Sequence, residues 1–150
     1  MTAARSLARI ALLAAFLPCA TVANFDPPAS SNPNADAQVA ADALKTGDWQ
    51  RAIDGFAAAL KAEPDNADFH NGIGYAYRKA GRLEPSFVHY RQALRLAPNL
   101  RSAHEYIGEA YVVAGDKAKA REHLAVLERL CGGRGCEEYQ DLAKAIAAAK

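Results

Sequence analysis

The chain has 150 residues, of which 51% are hydrophobic and 23% are charged, and its formal net charge at pH 7 is +1. This length suits one domain, and the composition is that of an ordinary globular protein. Basic and acidic residues are interspersed, so bulk charge predicts neither a nucleic-acid partner nor attraction to an anionic membrane surface.

Residues 1–23 have the pattern of an export signal. Two arginines precede an apolar core at residues 10–17, which is too short to span a membrane. Small residues at the positions that signal peptidase recognises predict cleavage after Ala23. Loss of the two arginines, with no acid, lowers the net charge from +1 to −1. We expect a mature protein that begins at Asn24, in the periplasm or secreted, without membrane contact after cleavage.

Two other outcomes for this segment stay open. Cys19 follows the apolar core, as the lipid-bearing cysteine of a lipoprotein does. However, Pro18 stands directly before it, where such signals carry Gly or Ala, so anchoring at Cys19 is disfavoured. An uncleaved helical anchor is the other alternative.

Residues 24–34 are predicted to form a flexible leader. The segment contains three prolines and two serines and has no apolar periodicity. Such a leader separates the body of the protein, residues 35–150, from the cleavage site.

A 34-residue period organises that body. The positions that recur at this interval are Gly47, Gly81 and Gly115; Ala52, Ser86 and Ala120; Gly74 and Gly108; Tyr77 and Tyr111; and Pro64 and Pro98. A fixed period of this length is typical of stacked repeats, since one unit cannot bury its apolar face alone. We predict three units, at about residues 33–66, 67–100 and 101–133.

Each unit is predicted to contain two helices. In the second unit, apolar residues at three- or four-residue spacing define a first helix that ends at Gly81. Its second helix has Pro85 in the first turn, where a missing N–H is harmless. Asp48 and Asp116 are suitable N-caps for the second helices of the first and third units. The first helix of the first unit is weaker because it lacks the aromatic residue.

These units resemble the tetratricopeptide repeat family. The first-helix signature, a small residue with an aromatic three positions later, is present as Gly74 with Tyr77 and in the third unit at the same spacing. The second-helix signature is present as Ala52, Phe56, Ala59 and Pro64, and again as Ser86, Tyr90, Ala93 and Pro98. The resemblance implies an all-α, right-handed superhelical array of three helix-turn-helix units with a C-terminal capping helix. It also suggests a small exported bacterial member of the family.

The C-terminal segment carries the predicted cap and a cysteine pair. Residues 137–150 form an amphipathic helix that would cover the last unit, and its acidic first turn suits the helix dipole. Cys131 and Cys136 lie just before it, in the string CGGRGC. In an exported protein so close a pair favours a local disulfide that fixes the cap. A redox or metal-handling protein built on this pair is the alternative function, and free thiols remain open.

Four histidines also repeat at the 34-residue interval, His70 with His104 and His89 with His123. Equivalent residues of neighbouring units should lie about 10 Å apart, the spacing of packed helices, which is too far to share a metal ion. We therefore predict a packing or surface role for them, and neither a metal nor another cofactor for the protein.

The family resemblance implies that the first helices of the units line a concave groove that binds a partner. The exposed groove positions would be Asn71, Tyr75, Arg78, Glu105, Glu109 and Val112. Chaperone-binding members clamp a C-terminal carboxylate with Lys, Asn and Arg. At the matching positions this chain has Ala37, Ala41, Gly72, Ser102 and Tyr106, so the clamp is absent. We expect a scaffold for a protein or peptide partner of unknown identity; a plain solvated face is the alternative.

No enzyme is predicted. The sequence has no strand pattern, no phosphate-binding Gly-rich loop and no nucleophile placed with a His and a carboxylate. A further possibility is weak self-association through Trp49 and Phe56, which the weak first unit leaves with little cover.

Overall fold

The computed structural model of the chain describes residues 32–150. This range forms seven α-helices and no strand. They are α1 (Pro33–Thr46), α2 (Trp49–Ala62), α3 (Ala67–Lys79), α4 (Leu83–Leu96), α5 (Arg101–Val113), α6 (Lys117–Leu130) and α7 (Glu137–Ala148). None of these helices is long and apolar enough to cross a membrane.

The predicted export signal, which includes Cys19, and residues 24–31 of the predicted leader lie outside the described residues. The helical body begins slightly earlier than the sequence indicated. Asn32 accepts hydrogen bonds from the backbone N–H groups of Asn34 and Ala35, and Pro33 occupies the first turn of α1. Both features favour a helix start, so the last two residues assigned to the leader are helical.

The helices pack as consecutive pairs. α1 packs against α2, α3 against α4, and α5 against α6, while α7 lies against both α5 and α6. The first helices of neighbouring units also touch, α1 with α3 and α3 with α5. This all-α repeat array with a terminal cap confirms the predicted fold class.

Local signals set the turns between paired helices. Gly47, Gly81 and Gly115 have φ values of 76°, 76° and 81°, the left-handed conformation that favours glycine. The residues that follow start the second helices. Asp48 and Asp116 accept hydrogen bonds from the backbone N–H groups three residues ahead, as predicted for N-caps.

Small residues occupy the helix crossings. Ala52, Ser86 and Ala120 are each 0% exposed, which explains why the 34-residue period keeps them small. At Gly74, an added Cβ would lie 2.6 Å from the ring of Tyr90, so this glycine makes room for an aromatic residue of α4. The tight packing of helix pairs therefore depends on specific small positions.

The cap helix closes the apolar end of the array. Leu142 and Ile146 of α7 are buried with Ala120 and Leu127 of α6. Cys131 follows the last turn of α6 and Cys136 precedes the first turn of α7, with Cα atoms 5.9 Å apart and the two sulfurs paired. The pair thus ties the last repeat to the cap, and its oxidation in the cell stays a prediction.

The first unit is better covered than the sequence suggested. Phe56 is 8% exposed and packs against Phe69, with ring centroids 6.0 Å apart. Trp49 lies edge-on to Tyr75 at 6.4 Å. The expectation that Trp49 and Phe56 lack cover is wrong, because α3 packs over them. Self-association stays a prediction without that basis.

Candidate functional site

Two adjoining cavities lie along the first helices and the cap. The first, which we call the aromatic cavity, has a volume of about 400 Å³ between α1, α3 and α5. Its lining includes Ala41, Leu44, Lys45, Asn71, Tyr75 and Tyr106. The second, the acidic cavity, has a volume of about 280 Å³ between α5 and α7. It is lined by Ser102, Glu105, Tyr106, Glu137, Glu138 and Asp141. Tyr106 borders both cavities, so they adjoin at this residue, and we call the two together the groove.

Asn71 lies in the groove but is not exposed, which corrects the sequence expectation. Only 7% of the residue is accessible, because its Nδ2 donates a hydrogen bond to Ser102 Oγ at 3.1 Å. Its Oδ1 atom is buried and has no hydrogen-bond partner among the described residues. A buried carbonyl oxygen without a donor costs about 1–3 kcal/mol, which a bound N–H group that reached this atom would offset.

Arg78 and Glu109 are also less available than predicted. Their side chains are 11% and 24% exposed and form an ion pair at 2.6 Å. The Arg78 Nε donates a hydrogen bond to Tyr90 Oη at 3.4 Å, and its guanidinium lies 5.3 Å from the centre of the Tyr75 ring. The two charges neutralise each other and neither residue lines either cavity, so they are not free binding groups.

Tyr75 is a partly exposed groove residue, in line with its predicted place. Its ring stacks between Trp49, at 6.4 Å, and Tyr106, at 4.9 Å between centroids. Burial, followed by nearby Glu105, raises the pKa of Tyr106 to about 12, so its hydroxyl stays neutral. The sequence named Tyr106 only as a position where a clamp residue is missing, and its role in joining the cavities was missed.

Glu105 lies in the groove as predicted, next to other acidic residues that sequence analysis did not place there. Glu137, Glu138 and Asp141 of the cap helix face the same cavity. Burial, and then the carboxylates of Glu109, Asp141 and Glu138, raise the pKa of Glu105 to about 7. The available signal was the cluster of acids in the first turns of α7, which sequence reasoning attributed to the helix dipole alone.

Val112, like Arg78 and Glu109, is a predicted groove residue that lines neither cavity. It packs, partly buried, against the cluster that joins α6 and α7. The cap covers this part of α5, and Leu142 occupies the space left by Gly108, where an added Cβ would lie 2.5 Å away. Val112 therefore stabilises the cap.

The histidines pair within units, not between them. His70 Nδ1 lies 3.1 Å from His89 Nδ1, and His104 Nδ1 lies 2.9 Å from His123 Nδ1. In the second and third units, the Nε2 of the first-helix histidine faces the carbonyl oxygen of the proline six residues before it. When that Nε2 donates, the Nδ1 accepts from its partner ring. The 10 Å spacing expected for equivalent histidines of neighbouring units stays a prediction. The sequence did not indicate the contact between histidines 19 positions apart, which face each other across one helix pair.

The cysteine pair offers no preformed metal site in its bonded state. Within residues 32–150, the one group of His, Cys, Asp or Glu ligand atoms within 4.8 Å of one another consists of Cys131, Cys136 and Glu138. The two sulfurs are joined to each other, whereas a metal needs free thiolates. A metal-handling function therefore requires the reduced pair, whereas a redox function would use both the bonded and the reduced states.

Curated proteins that share sequence with this chain contain the same repeat. The chain is 27% identical over 82 residues to a TPR repeat-containing thioredoxin of Arabidopsis thaliana, with 55% of this chain and 12% of the relative covered. It is 32% identical over 77 residues to the peroxisomal targeting signal receptor of Candida albicans, with 51% and 13% covered. The matches thus take in only a small part of each relative's length.

Solved structures share the fold at low identity. The TPR2B domain of yeast Sti1, in a pHsp70 complex, superposes with a TM-score of 0.70 at 16% identity, covering 79% of this chain and 98% of that one. The first TPR of Spaghetti (RPAP3), bound to the HSP90 peptide SRMEEVD, has a TM-score of 0.67 at 17% identity, covering 77% and 94%. The tetratricopeptide repeat family model matches residues 40–86 and 88–134, more than half of the sequence. The chain belongs to the tetratricopeptide repeat family.

Proposed function

We propose that this protein is a small exported bacterial scaffold that binds a peptide segment of a partner protein in the groove formed by α1, α3 and α5. One observation carries the proposal. Asn71, on the lining of the aromatic cavity, has a buried Oδ1 atom without a hydrogen-bond partner among the described residues. A peptide backbone N–H group would supply the missing donor.

The surroundings of Asn71 suit an extended peptide. Leu44, Tyr75 and Tyr106 provide apolar and aromatic surface for side chains, and Lys45 and Asp68 provide charges at the edge. Grooves that bind peptides combine such surface with a few fixed polar groups. The peptide in the Spaghetti (RPAP3) structure supports this mode by analogy of fold alone.

Export is the second part of the proposal, and it places the protein in the periplasm or outside the cell. Its support is the pattern of residues 1–23 and the cysteine pair, which suits an oxidising compartment. The aromatic cavity is formed entirely by residues that follow the predicted signal and leader.

The groove proposal is tested by blocking the aromatic cavity. A random heptapeptide display library is selected on the wild-type protein, and the selected peptides are measured against Ala41→Trp and against Ala57→Trp. Ala41 lines the cavity, whereas Ala57 is exposed on α2 and is not among the cavity's lining residues, so Ala57→Trp is the matched control.

We expect Ala41→Trp to weaken binding at least tenfold, about 1.4 kcal/mol, because the indole fills the cavity. Ala57→Trp should leave the affinity unchanged, and both variants should keep the helical circular-dichroism spectrum of the wild type. Equal binding by both variants would place the peptide on another face, and a library that yields no binder would count against the proposal.

A further inference from the structure

We propose, resting on the function above, that the bound peptide carries a Lys or Arg residue whose charged head enters the acidic cavity. The peptide backbone would lie along the aromatic cavity next to Asn71. Tyr106 borders both cavities, so the proposed peptide would pass beside this residue from one to the other.

The charge balance of the acidic cavity favours a cation. Four carboxylates line it, and of the cations in residues 32–150 only Arg101 forms an ion pair with one of them, with Glu138 at 3.4 Å. Arg78, the nearest cation of α3, is occupied by Glu109. The side chains of Glu105, Glu137 and Asp141 make no hydrogen bond or ion pair with any other residue that the structure describes. The cavity therefore has excess negative charge that a basic side chain would neutralise.

The spread of these carboxylates suits an organic cation better than a metal ion. The described part of the chain contains one tight set of potential metal ligands, Cys131, Cys136 and Glu138, and of these only Glu138 lines this cavity. A metal ion needs several oxygen atoms within about 2–2.6 Å of one centre. An ammonium or guanidinium group carries several N–H donors that point in different directions, so it can reach separated acceptors.

A second, independent feature points to a ligand at the adjoining end of the groove. Asn71 donates a hydrogen bond to Ser102, and Ser102 also lines the acidic cavity. The buried Oδ1 atom of Asn71 has no donor among the described residues. A peptide whose backbone N–H meets this oxygen has its next side chains beside Tyr106 and the carboxylates. One bound peptide would thus supply both a donor to Asn71 Oδ1 and a positive charge to the carboxylates of the acidic cavity.

The same charges argue against an acidic peptide. The sequence SRMEEVD, bound by the first TPR of Spaghetti (RPAP3), contains two Glu residues and one Asp. In the acidic cavity those carboxylates would meet others of the same sign, which costs affinity. SRMEEVD also carries one Arg, so its Arg-to-Gln form SQMEEVD is the suitable negative probe.

Glu105 gives the proposal a pH readout. Its carboxyl faces Glu109 on its own helix, Glu138 and Asp141 on α7, and Arg78 on α3, and its pKa lies near 7. A bound cation stabilises the ionised carboxylate. Affinity for a basic peptide should therefore rise between pH 5.5 and pH 8, and the rise should shrink in Glu105→Gln.

The test uses four pools of acetylated, amidated heptapeptides in which one scanned position is fixed as Lys, Arg, Leu or Glu. We expect the Lys and Arg pools to bind at least about tenfold more tightly than the Glu pool and SQMEEVD. The triple variant Glu105→Gln, Glu137→Gln, Asp141→Asn should abolish this preference and leave the Arg101–Glu138 ion pair in place. The matched control Asp65→Asn, Glu84→Gln, Glu122→Gln removes equal charge elsewhere and should retain the preference.

The outcomes separate this inference from the function on which it rests. Binding without a charge preference, still blocked by Ala41→Trp, would overturn the basic-peptide inference and leave the groove function intact. Binding by no pool would overturn both. The same pools with a free amino terminus serve as a comparison, and a preference that appears only in these would overturn the assignment to a Lys or Arg side chain.

Discussion

Glycines inside the helices hold space for large side chains of neighbouring helices. A Cβ added at Gly72 would lie 2.5 Å from the ring of Phe56, and one at Gly74 would lie 2.6 Å from the ring of Tyr90. Glycine in a helix interior costs about 1 kcal/mol relative to alanine. The chain accepts that cost because helix packing gains more from a buried aromatic ring.

Gly74→Ala should therefore destabilise the protein in spite of its better helix propensity. We expect a loss of about 1–3 kcal/mol in the free energy of unfolding, measured with urea, because Tyr90 is 0% exposed and has no room to move away. Gly135→Ala is the control, since an added Cβ there meets nothing within 4 Å. Equal losses of unfolding free energy in both variants would show that packing against Tyr90 does not explain the glycine at position 74.

The histidine pair of the third unit should make stability depend on pH. Burial, and then the neighbouring His104, lower the pKa of His123 to about 4. Its unfolded value is about 6.5, so the unfolded chain binds more protons between these values. The contribution is fully present above about pH 6.5 and is lost as the pH falls towards 4.

We expect this loss to reach about 2 kcal/mol, because one pKa unit corresponds to about 1.4 kcal/mol and a partly accessible ring is screened by solvent. Urea unfolding at pH 7.5, 5.5 and 4.5 measures it. Carboxylates also titrate in this range, so His123→Gln serves as the comparison and should have the shallower slope. The same slope in both proteins would contradict the role of the pair.

At the scale of the helices, the helix boundaries could be predicted from the sequence, but the side-chain contacts between helices of different units could not. Gly81 and Asp48 are local signals, and each acts within one turn of its own helix. The burial of Asn71 depends instead on Ser102, 31 positions away, and that of Arg78 depends on Glu109 in the next unit. A periodic pattern identifies the face of a helix but not the residue that meets it.

The cysteine pair joins two elements and should stabilise the cap in particular. We expect thiol titration of the unfolded, unreduced mature protein to find neither Cys131 nor Cys136 free. Closing so short a loop with a disulfide stabilises the folded state by roughly 2 kcal/mol. Reduction of the disulfide should therefore speed amide hydrogen exchange in α7, while the amides of α1 to α4 stay protected. A pair of reactive thiols in the purified protein would favour the alternative redox or metal function.

At the scale of the whole molecule, the sequence predicted an array but not its charge distribution. The repeat signature identified three units and a cap because each unit carries the same small and aromatic positions. The acidic cavity combines Glu105 of α5 with Glu137, Glu138 and Asp141 of α7. It could not be predicted because it depends on how the cap lies across the last unit, which no repeat position encodes.

Export belongs to the whole chain and is tested by expression in a bacterial host. We expect the protein in the periplasmic fraction, with an N-terminus at Asn24 determined by mass spectrometry. Leu13→Arg places a charge in the apolar core and should leave the uncleaved protein in the cytoplasm. Wild-type protein with an intact Met1 in the cytoplasmic fraction would contradict the assignment.

The most direct test of the central claim is to map a bound peptide on the protein by amide chemical shifts. The tightest heptapeptide from the library selection is titrated into the isotope-labelled mature protein. A peptide in the concave groove should perturb Ala41, Asn71 and Tyr106, and leave the exposed residues Val88 and Val113 unchanged. Perturbations centred on Val88 and Val113, with the groove amides unmoved, would contradict the account.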